Sequence, residues 1–138
     1  SGKRIVILGF SFKADTNDTR NSPSIKISKQ LLAEDAILII NDPKVDKKTV
    51  FEAINSKNNN LENKYQIIYE KNISKAIDNA DAVLIMTEWD EYKKLDWKNL
   101  QNKMRKPSWV FDTRSIISES TIKETNLNFW QLGNGKYF

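Results

Sequence analysis

Short apolar runs alternate with longer amphipathic segments along this chain, and that alternation predicts strands separated by helices. The first run, from Arg4 to Phe10, is apolar after its opening arginine and contains Gly9 near its end. Such a continuous run is typical of a strand that is buried on both faces of a sheet. Further strands are predicted at Ala36 to Ile40, Tyr65 to Tyr69, Ala82 to Met86, Ser108 to Asp112 and Asn126 to Leu132.

Helices are predicted between these strands. Asn21 or Ser22 can cap a first helix that has Pro23 near its first position. Asp42 and Pro43 are expected to begin a second helix in the same way. Helical composition also marks Asn72 to Asn79 and Asp90 to Met104, the latter broken near Leu95, whereas Ser56 to Lys64 is a polar, asparagine-rich insertion. The predicted fold is therefore α/β, a Rossmann-like doubly wound and mostly parallel sheet of about six strands with helices on both faces.

The composition suits one soluble globular domain and excludes several kinds of chemistry. The 138 residues include 22 basic and 18 acidic side chains, a mild excess that favours anionic ligands. No dense basic run is present, so a nucleic-acid partner is not expected. Because the chain contains no cysteine and no histidine, thiol nucleophiles, histidine acid–base chemistry and the common zinc ligand sets are excluded, and no metal site is predicted. No apolar run is long enough for a membrane helix, and a cytoplasmic setting without a membrane partner is expected.

The candidate chemistry lies where the first, fourth and fifth strands end. In a doubly wound sheet, ligands bind outside the carboxyl ends of the strands, at the point where the strand order reverses. The segments expected to converge there are 11–20, 87–89 and 113–114. Because they carry Lys13, Arg20 and Arg114, these segments form a candidate anion site.

The turn after the first strand lacks the pattern of a dinucleotide-binding loop. That loop needs three glycines, and here Gly9 is followed by Ser11 and Ala14 at the other two positions. A side chain at the second position keeps the backbone away from a pyrophosphate. The domain is therefore not expected to hold NAD by itself, and Lys13 and Arg20 would supply charge in place of backbone contacts.

Each candidate residue also has a simpler interpretation. Lys13 could be a solvated loop lysine, and Arg114 could form a structural ion pair close to Asp112. Glu88 is most simply an acid at a helix N-terminus, where it complements the helix dipole. Asp42 is more simply a helix cap than a ribose ligand. No single residue decides the function, so the evidence has to come from their combination.

Four segments together are more specific than any of these residues: Gly9 to Ile25, Asn41 to Val45, Ala80 to Trp97 and Lys106 to Ile117. In this order and spacing they resemble the C-terminal, UDP-binding domain of the UDP-glucose/GDP-mannose dehydrogenase family, from residue 3 to about residue 120. The elements F-K-x-D-T-x-D-x-R and T-E-W-D carry most of the resemblance. The segment between Val45 and Tyr65, together with the K-P pair before the fifth strand, is more similar to the eukaryotic branch of the family than to the short bacterial one.

The resemblance implies roles at the matching positions. Phe12 and Lys13 correspond to residues that hold the UDP-sugar, and Arg114 corresponds to an arginine that also contacts it. Arg20 corresponds to an arginine that reaches NAD, a cofactor held mainly by the N-terminal domain of such enzymes. Thr113 stands where the family usually has a glycine, which could narrow the pocket beside Arg114.

The resemblance also implies that the chain is one part of a larger enzyme. Members oxidise the primary alcohol of a nucleotide sugar in two NAD-dependent steps, using a catalytic cysteine that this chain lacks. The reaction expected here is the conversion of UDP-glucose to UDP-glucuronate. Residues 3–138 are then expected to be the C-terminal domain, inactive alone, with Ser1-Gly2 a remnant of cloning. Its partners would be UDP-glucose and the N-terminal and central domains of its own polypeptide, within a homo-oligomer.

Alternative functions remain open. A dehydrogenase of another nucleotide sugar, UDP-N-acetylmannosamine or GDP-mannose, would share these motifs. A non-catalytic sensor or assembly module could keep the fold as a dimerisation surface. A nucleic-acid binder is the weakest option, because the lysines are scattered among acidic residues.

Overall fold

The computed structural model describes residues 2–11, 14–19, 22–55 and 66–133. Over those residues the strands are β1 (Arg4–Leu8), β2 (Ile37–Asn41), β3 (Ile67–Tyr69), β4 (Ala82–Ile85), β5 (Trp109–Asp112) and β6 (Asn128–Gln131). The helices there are α1 (Pro23–Ala33), α2 (Lys47–Asn55), α3 (Ile73–Ile77), α4 (Asp90–Lys93), α5 (Trp97–Leu100) and α6 (Glu119–Lys123), and a 3-10 turn (Gln101–Lys103) follows α5. The predicted alternation of strands and helices is therefore confirmed.

The described strands form one sheet in the order β3-β2-β1-β4-β5-β6. The register pairs Val6 of β1 with Ile39 of β2 on one side and with Val83 of β4 on the other. Each pairing among these strands is parallel, where a mostly parallel sheet was expected. The strand order reverses between β1 and β4, so a crevice is expected outside the carboxyl ends of these two strands.

Helices pack on both faces of the sheet because successive strand residues point to opposite sides. On one face, α1 and α2 cover Ile7 and Leu38, which are both fully buried. On the other face, Val83 packs with Tyr92 of α4 and Trp97 of α5. Trp97 is 1% exposed and is therefore a core residue of this face. The two layers of helices hold the strands whose ends form the candidate site.

Several predicted boundaries are confirmed, and one short helix goes unpredicted. Ser22 caps α1 by accepting the N–H of Ser24, and Pro23 is the first helical residue. The predicted break near Leu95 separates α4 from α5. Helix α6 has five residues, and among them only Ile122 is buried, so it has too little hydrophobic periodicity to be predicted.

The beginning of α2 corrects the sequence prediction. The helix starts at Lys47 rather than at Pro43, and Asp46 caps it by accepting the N–H of Thr49 at 2.8 Å. Asp42 is therefore not the cap of this helix. Its carboxylate instead closes a turn before the helix and reaches back to the segment after β1, which delays the start of the helix.

The remaining sequence predictions concern an insertion and the membrane. The expected polar insertion from Ser56 to Lys64 lies outside the described residues. Within the described ranges, no helix is both long and apolar enough to cross a membrane.

Candidate functional site

Gly9 allows the segment after β1 to pass directly over the segment after β4. Its φ is +98°, and a Cβ atom at this position would lie 2.4 Å from both Cβ and Oγ1 of Thr87. A larger residue would therefore push the two segments apart. The Thr87 hydroxyl also donates to the carbonyl oxygen of Ser11 at 3.0 Å. Two of the three segments predicted to converge are thus in direct contact.

Asp42, directly after β2, organises the turn that follows β1. Its side chain is fully buried, and Oδ2 accepts the N–H groups of Phe10 at 2.7 Å and Ser11 at 3.1 Å. The other oxygen, Oδ1, accepts the N–H groups of Lys44 at 2.8 Å and Val45 at 3.0 Å. In dinucleotide-binding domains an acid near the end of the second strand binds a ribose. Here both oxygens of that carboxylate are used inside the protein.

A buried tyrosine ties α4 to the ends of β2 and β3. The hydroxyl of Tyr92 donates to Oδ1 of Asn41 at 2.8 Å, and Nδ2 of Asn41 donates to the carbonyls of Glu70 and Lys71 at 2.8 and 3.0 Å. Burial raises the pKa of Tyr92, so its hydroxyl remains a neutral donor. These bonds fix the position of α4 and therefore of the segment between β4 and α4.

A second buried carboxylate organises the turn after β5. Asp112 is fully buried, and its Oδ1 accepts the backbone N–H of Arg114 at 3.0 Å. Its Oδ2 accepts the N–H groups of Ile116 and Ile117 and one N–H of the Gln131 side chain, all at 2.8 Å. The backbone that carries Arg114 is therefore held by one carboxylate with four hydrogen bonds.

Arg114 lies outside the carboxyl ends of β4 and β5, and its side chain is held by the segment after β4. Its Nε donates to the carbonyl of Met86 at 2.9 Å and lies 3.4 Å from Oε2 of Glu88. The other Glu88 oxygen, Oε1, accepts the N–H of Ala14 at 3.1 Å. The side chains of Arg114 and Glu88 are 31% and 35% exposed, so the pair is open to a ligand from solvent. The three predicted segments meet at the carboxylate of Glu88.

This geometry changes two of the simpler interpretations. The ion-pair partner found for Arg114 is Glu88, while Asp112 binds the backbone of the same turn. Glu88 contacts two loops, which is more than the dipole role expected of an acid at a helix N-terminus. The hydroxyl of Thr113 donates to the carbonyl of Ile85 at 2.6 Å, so this side chain is directed at the end of β4.

The described residues include one of the predicted ligand-binding side chains, Arg114, and the structure brings it to the strand-order reversal. Phe12, Lys13 and Arg20 lie outside the described residues, and their roles stay predictions. In the part of the chain that is described, no group of three or more acidic, histidine or cysteine side chains is arranged to hold a metal ion.

Sequence reasoning misses the organising roles of Asp42, Asp112 and Glu88. A signal exists, because each of these acids lies at or just beyond the carboxyl end of a predicted strand, where loop N–H groups converge. The pattern does not show which loop each acid binds. Glu88 and Ala14, for example, are 74 residues apart in the chain.

Comparison with known proteins assigns this arrangement to a family. The UDP-binding domain of the UDP-glucose/GDP-mannose dehydrogenase family matches residues 6–119, a range that contains all three converging segments. The chain belongs to this family. The resemblance found in the sequence is thereby confirmed.

Individual relatives agree with this assignment. The chain is 41% identical over 119 residues to UDP-glucose 6-dehydrogenase of Gallus gallus, a match that covers 85% of this chain and 24% of that enzyme. It is 32% identical over 144 residues to a UDP-glucose 6-dehydrogenase of Arabidopsis thaliana, covering 96% of this chain and 30% of the relative. The solved structure of a UDP-D-ManNAc dehydrogenase from Pyrococcus horikoshii aligns with a TM-score of 0.71 at 26% identity, over 98% of this chain and 26% of that one. The chain thus spans about a quarter of the length of its relatives.

Proposed function

We propose that this chain is the UDP-sugar-binding domain of an NAD-dependent UDP-glucose 6-dehydrogenase, which oxidises UDP-glucose to UDP-glucuronate in two successive steps. The family match and the relatives of that name support the proposal. The structural observation that carries it is Arg114, held at the strand-order reversal by the carbonyl of Met86 and by Glu88. A guanidinium fixed in such a crevice suits the phosphate oxygens of a nucleotide sugar.

The binding residues are assigned to two sides of the crevice. Arg114 contacts the UDP-sugar from the β5 side. Phe12 and Lys13 are assigned to the β1 side, because their chain neighbours Ser11 and Ala14 both bond to the segment after β4. The ligand would lie between the two sides, outside the carboxyl ends of β1 and β4.

The cofactor NAD does not fit this domain alone. Gly9 is the only glycine at the three loop positions that a dinucleotide requires, and the carboxylate of Asp42 is already used inside the protein. We assign NAD to the remainder of a longer polypeptide, with Arg20 as the contact from this chain. The catalytic cysteine would come from the same remainder, because this chain contains none. The isolated domain is then inactive, and the complete enzyme is a homo-oligomer.

Isothermal titration with UDP-glucose, UDP and GDP tests the proposal on the 138-residue chain. The wild type is expected to bind UDP and UDP-glucose more tightly than GDP. Arg114→Ala removes charge-assisted bonds to the ligand and is expected to weaken UDP binding by about tenfold or more. Arg105→Ala is the matched control, because Arg105 pairs with Asp81 at the amino ends of the strands, away from the proposed site.

Three results would contradict parts of the proposal. No UDP binding by the wild type would contradict the assignment of a UDP-sugar site to this domain. Equal UDP affinity in Arg114→Ala and Arg105→Ala would contradict the location of the site. Tighter binding of GDP than of UDP would indicate a GDP-sugar as substrate.

A further inference from the structure

Glu88 touches both sides of the proposed UDP-sugar site. Its Oε1 accepts the N–H of Ala14, from the segment after β1, at 3.1 Å. Its Oε2 lies 3.4 Å from Nε of Arg114, in the segment after β5. The two oxygens of one carboxylate are therefore divided between two loops that belong to distant parts of the chain.

The residues next to Glu88 are held by the same two loops. Thr87 packs against Gly9 where a Cβ could not fit, and its hydroxyl donates to the carbonyl of Ser11. On the other side, the carbonyl of Met86 accepts a hydrogen bond from Nε of Arg114 at 2.9 Å. The backbone that carries the Glu88 carboxylate is therefore fixed by contacts within the protein.

We infer that Glu88 is a positioning residue, which sets the orientation of the Arg114 side chain and couples it to segment 14–19. This inference rests on the proposed function, in which Arg114 binds the UDP-sugar. In that role the guanidinium of Arg114 would bind an anion, and its planar fork geometry suits phosphate. Losing the contact to Glu88 would leave the side chain held by the carbonyl of Met86 with one partner fewer, which would widen its range of orientations and weaken that binding.

One arm of the bridge is a hydrogen bond from the N–H of Ala14, and the other is an ion pair with Arg114, whose single Nε–H already donates to the carbonyl of Met86. Glutamine has nearly the same size but only one acceptor oxygen, and its NH2 group would face a donor. Glu88→Gln therefore breaks one arm of the bridge. The same change removes a negative charge beside an anion site, which by charge alone would strengthen UDP binding. Positioning and simple electrostatics consequently predict opposite signs.

UDP titration of four proteins tests the inference: the wild type, E88Q, R114A and the double variant. E88Q is expected to weaken UDP binding about fivefold, which corresponds to about 1 kcal/mol. In the R114A background, E88Q is expected to cause no further loss, because Glu88 acts through Arg114. E91Q is the control, since Glu91 is an exposed acid on the neighbouring α4 and undergoes the same change of charge.

A second measurement does not depend on UDP. The ¹⁵N relaxation of the Arg114 Nε–H group is expected to report an ordered side chain in the wild type and a less ordered one in E88Q. Equal order in the two proteins would overturn the inference, as would UDP binding that is unchanged or tighter in E88Q. Equal losses from E88Q with and without Arg114 would also overturn it, because they would indicate general damage. If Arg114 loses order in E88Q but the wild type binds no UDP, the positioning role is supported and the proposed function fails.

Discussion

Replacing Asp42 with asparagine measures how far one buried carboxylate supports the site. Its Oδ2 accepts the N–H groups of Phe10 and Ser11, and its Oδ1 accepts those of Lys44 and Val45. Asparagine offers a single acceptor oxygen, and its NH2 group would face donors. In either orientation of the amide, at least two backbone N–H groups therefore lose their acceptor.

The expected magnitude follows from those two lost bonds. A hydrogen bond to a charged acceptor contributes about 1.5 kcal/mol or more, so the free energy of unfolding should fall by about 3 kcal/mol. For a chain of 138 residues the entropy of unfolding is about 0.3 kcal/mol/K near the midpoint. The Tm of Asp42→Asn should therefore lie about 10 °C below that of the wild type.

Differential scanning calorimetry, with urea unfolding followed by tryptophan fluorescence, measures this loss. Asp46→Asn is the matched control, because Asp46 is an exposed helix cap that accepts the N–H of Thr49, and asparagine caps helices equally well. Its Tm should match that of the wild type. Similar Tm values for Asp42→Asn and Asp46→Asn would refute the role given to the buried carboxylate.

The other predictions concern Gly9, beside the proposed site, and Asp81, at the amino ends of the strands. Gly9→Ala should lower the free energy of unfolding by about 3 kcal/mol or more, because the added methyl group would meet the segment after β4 at 2.4 Å. Gly133→Ala shares the positive φ but has open space around it, so an equal loss in urea unfolding would contradict the steric argument. Burial opposes ionisation of Asp81, but hydrogen bonds from the Arg4 N–H and from Arg105 lower its pKa below 3.8. The stability that this carboxylate contributes is present above the unfolded-state pKa and is lost as the pH falls through the lower folded-state pKa. Asp81→Asn should therefore flatten the pH dependence of Tm in the acid range, and an unchanged profile would count against the pairing.

The strands and the family could be predicted because their signals are local. Buried parallel strands are continuous apolar runs, and the one from Arg4 to Phe10 needs no tertiary information to be identified. The start of α1 follows from Ser22 and Pro23, whose capping preferences also depend only on neighbouring residues. The four segments that resemble the family are likewise identified from their order and spacing along the sequence alone.

The roles of the buried acids could not be predicted, because they depend on contacts through space. Asp42 followed by Pro43 has the local pattern of a helix start, but the carboxylate binds the segment after β1, about 30 residues away in the chain. That tertiary contact overrides the local preference and moves the start of α2 to Lys47. The partner of Arg114 was missed for the same reason, since Asp112 is nearer in sequence than Glu88.

Chemical-shift mapping of the backbone amides during a UDP titration tests the central claim most directly. The account predicts shifts concentrated at the carboxyl ends of β1, β4 and β5, including Ala14, Glu88 and Arg114. The amides of Asp81 and Arg105, at the amino ends of the strands, should not shift. Shifts concentrated at the amino ends of the strands, or no shifts at saturating UDP, would contradict the account.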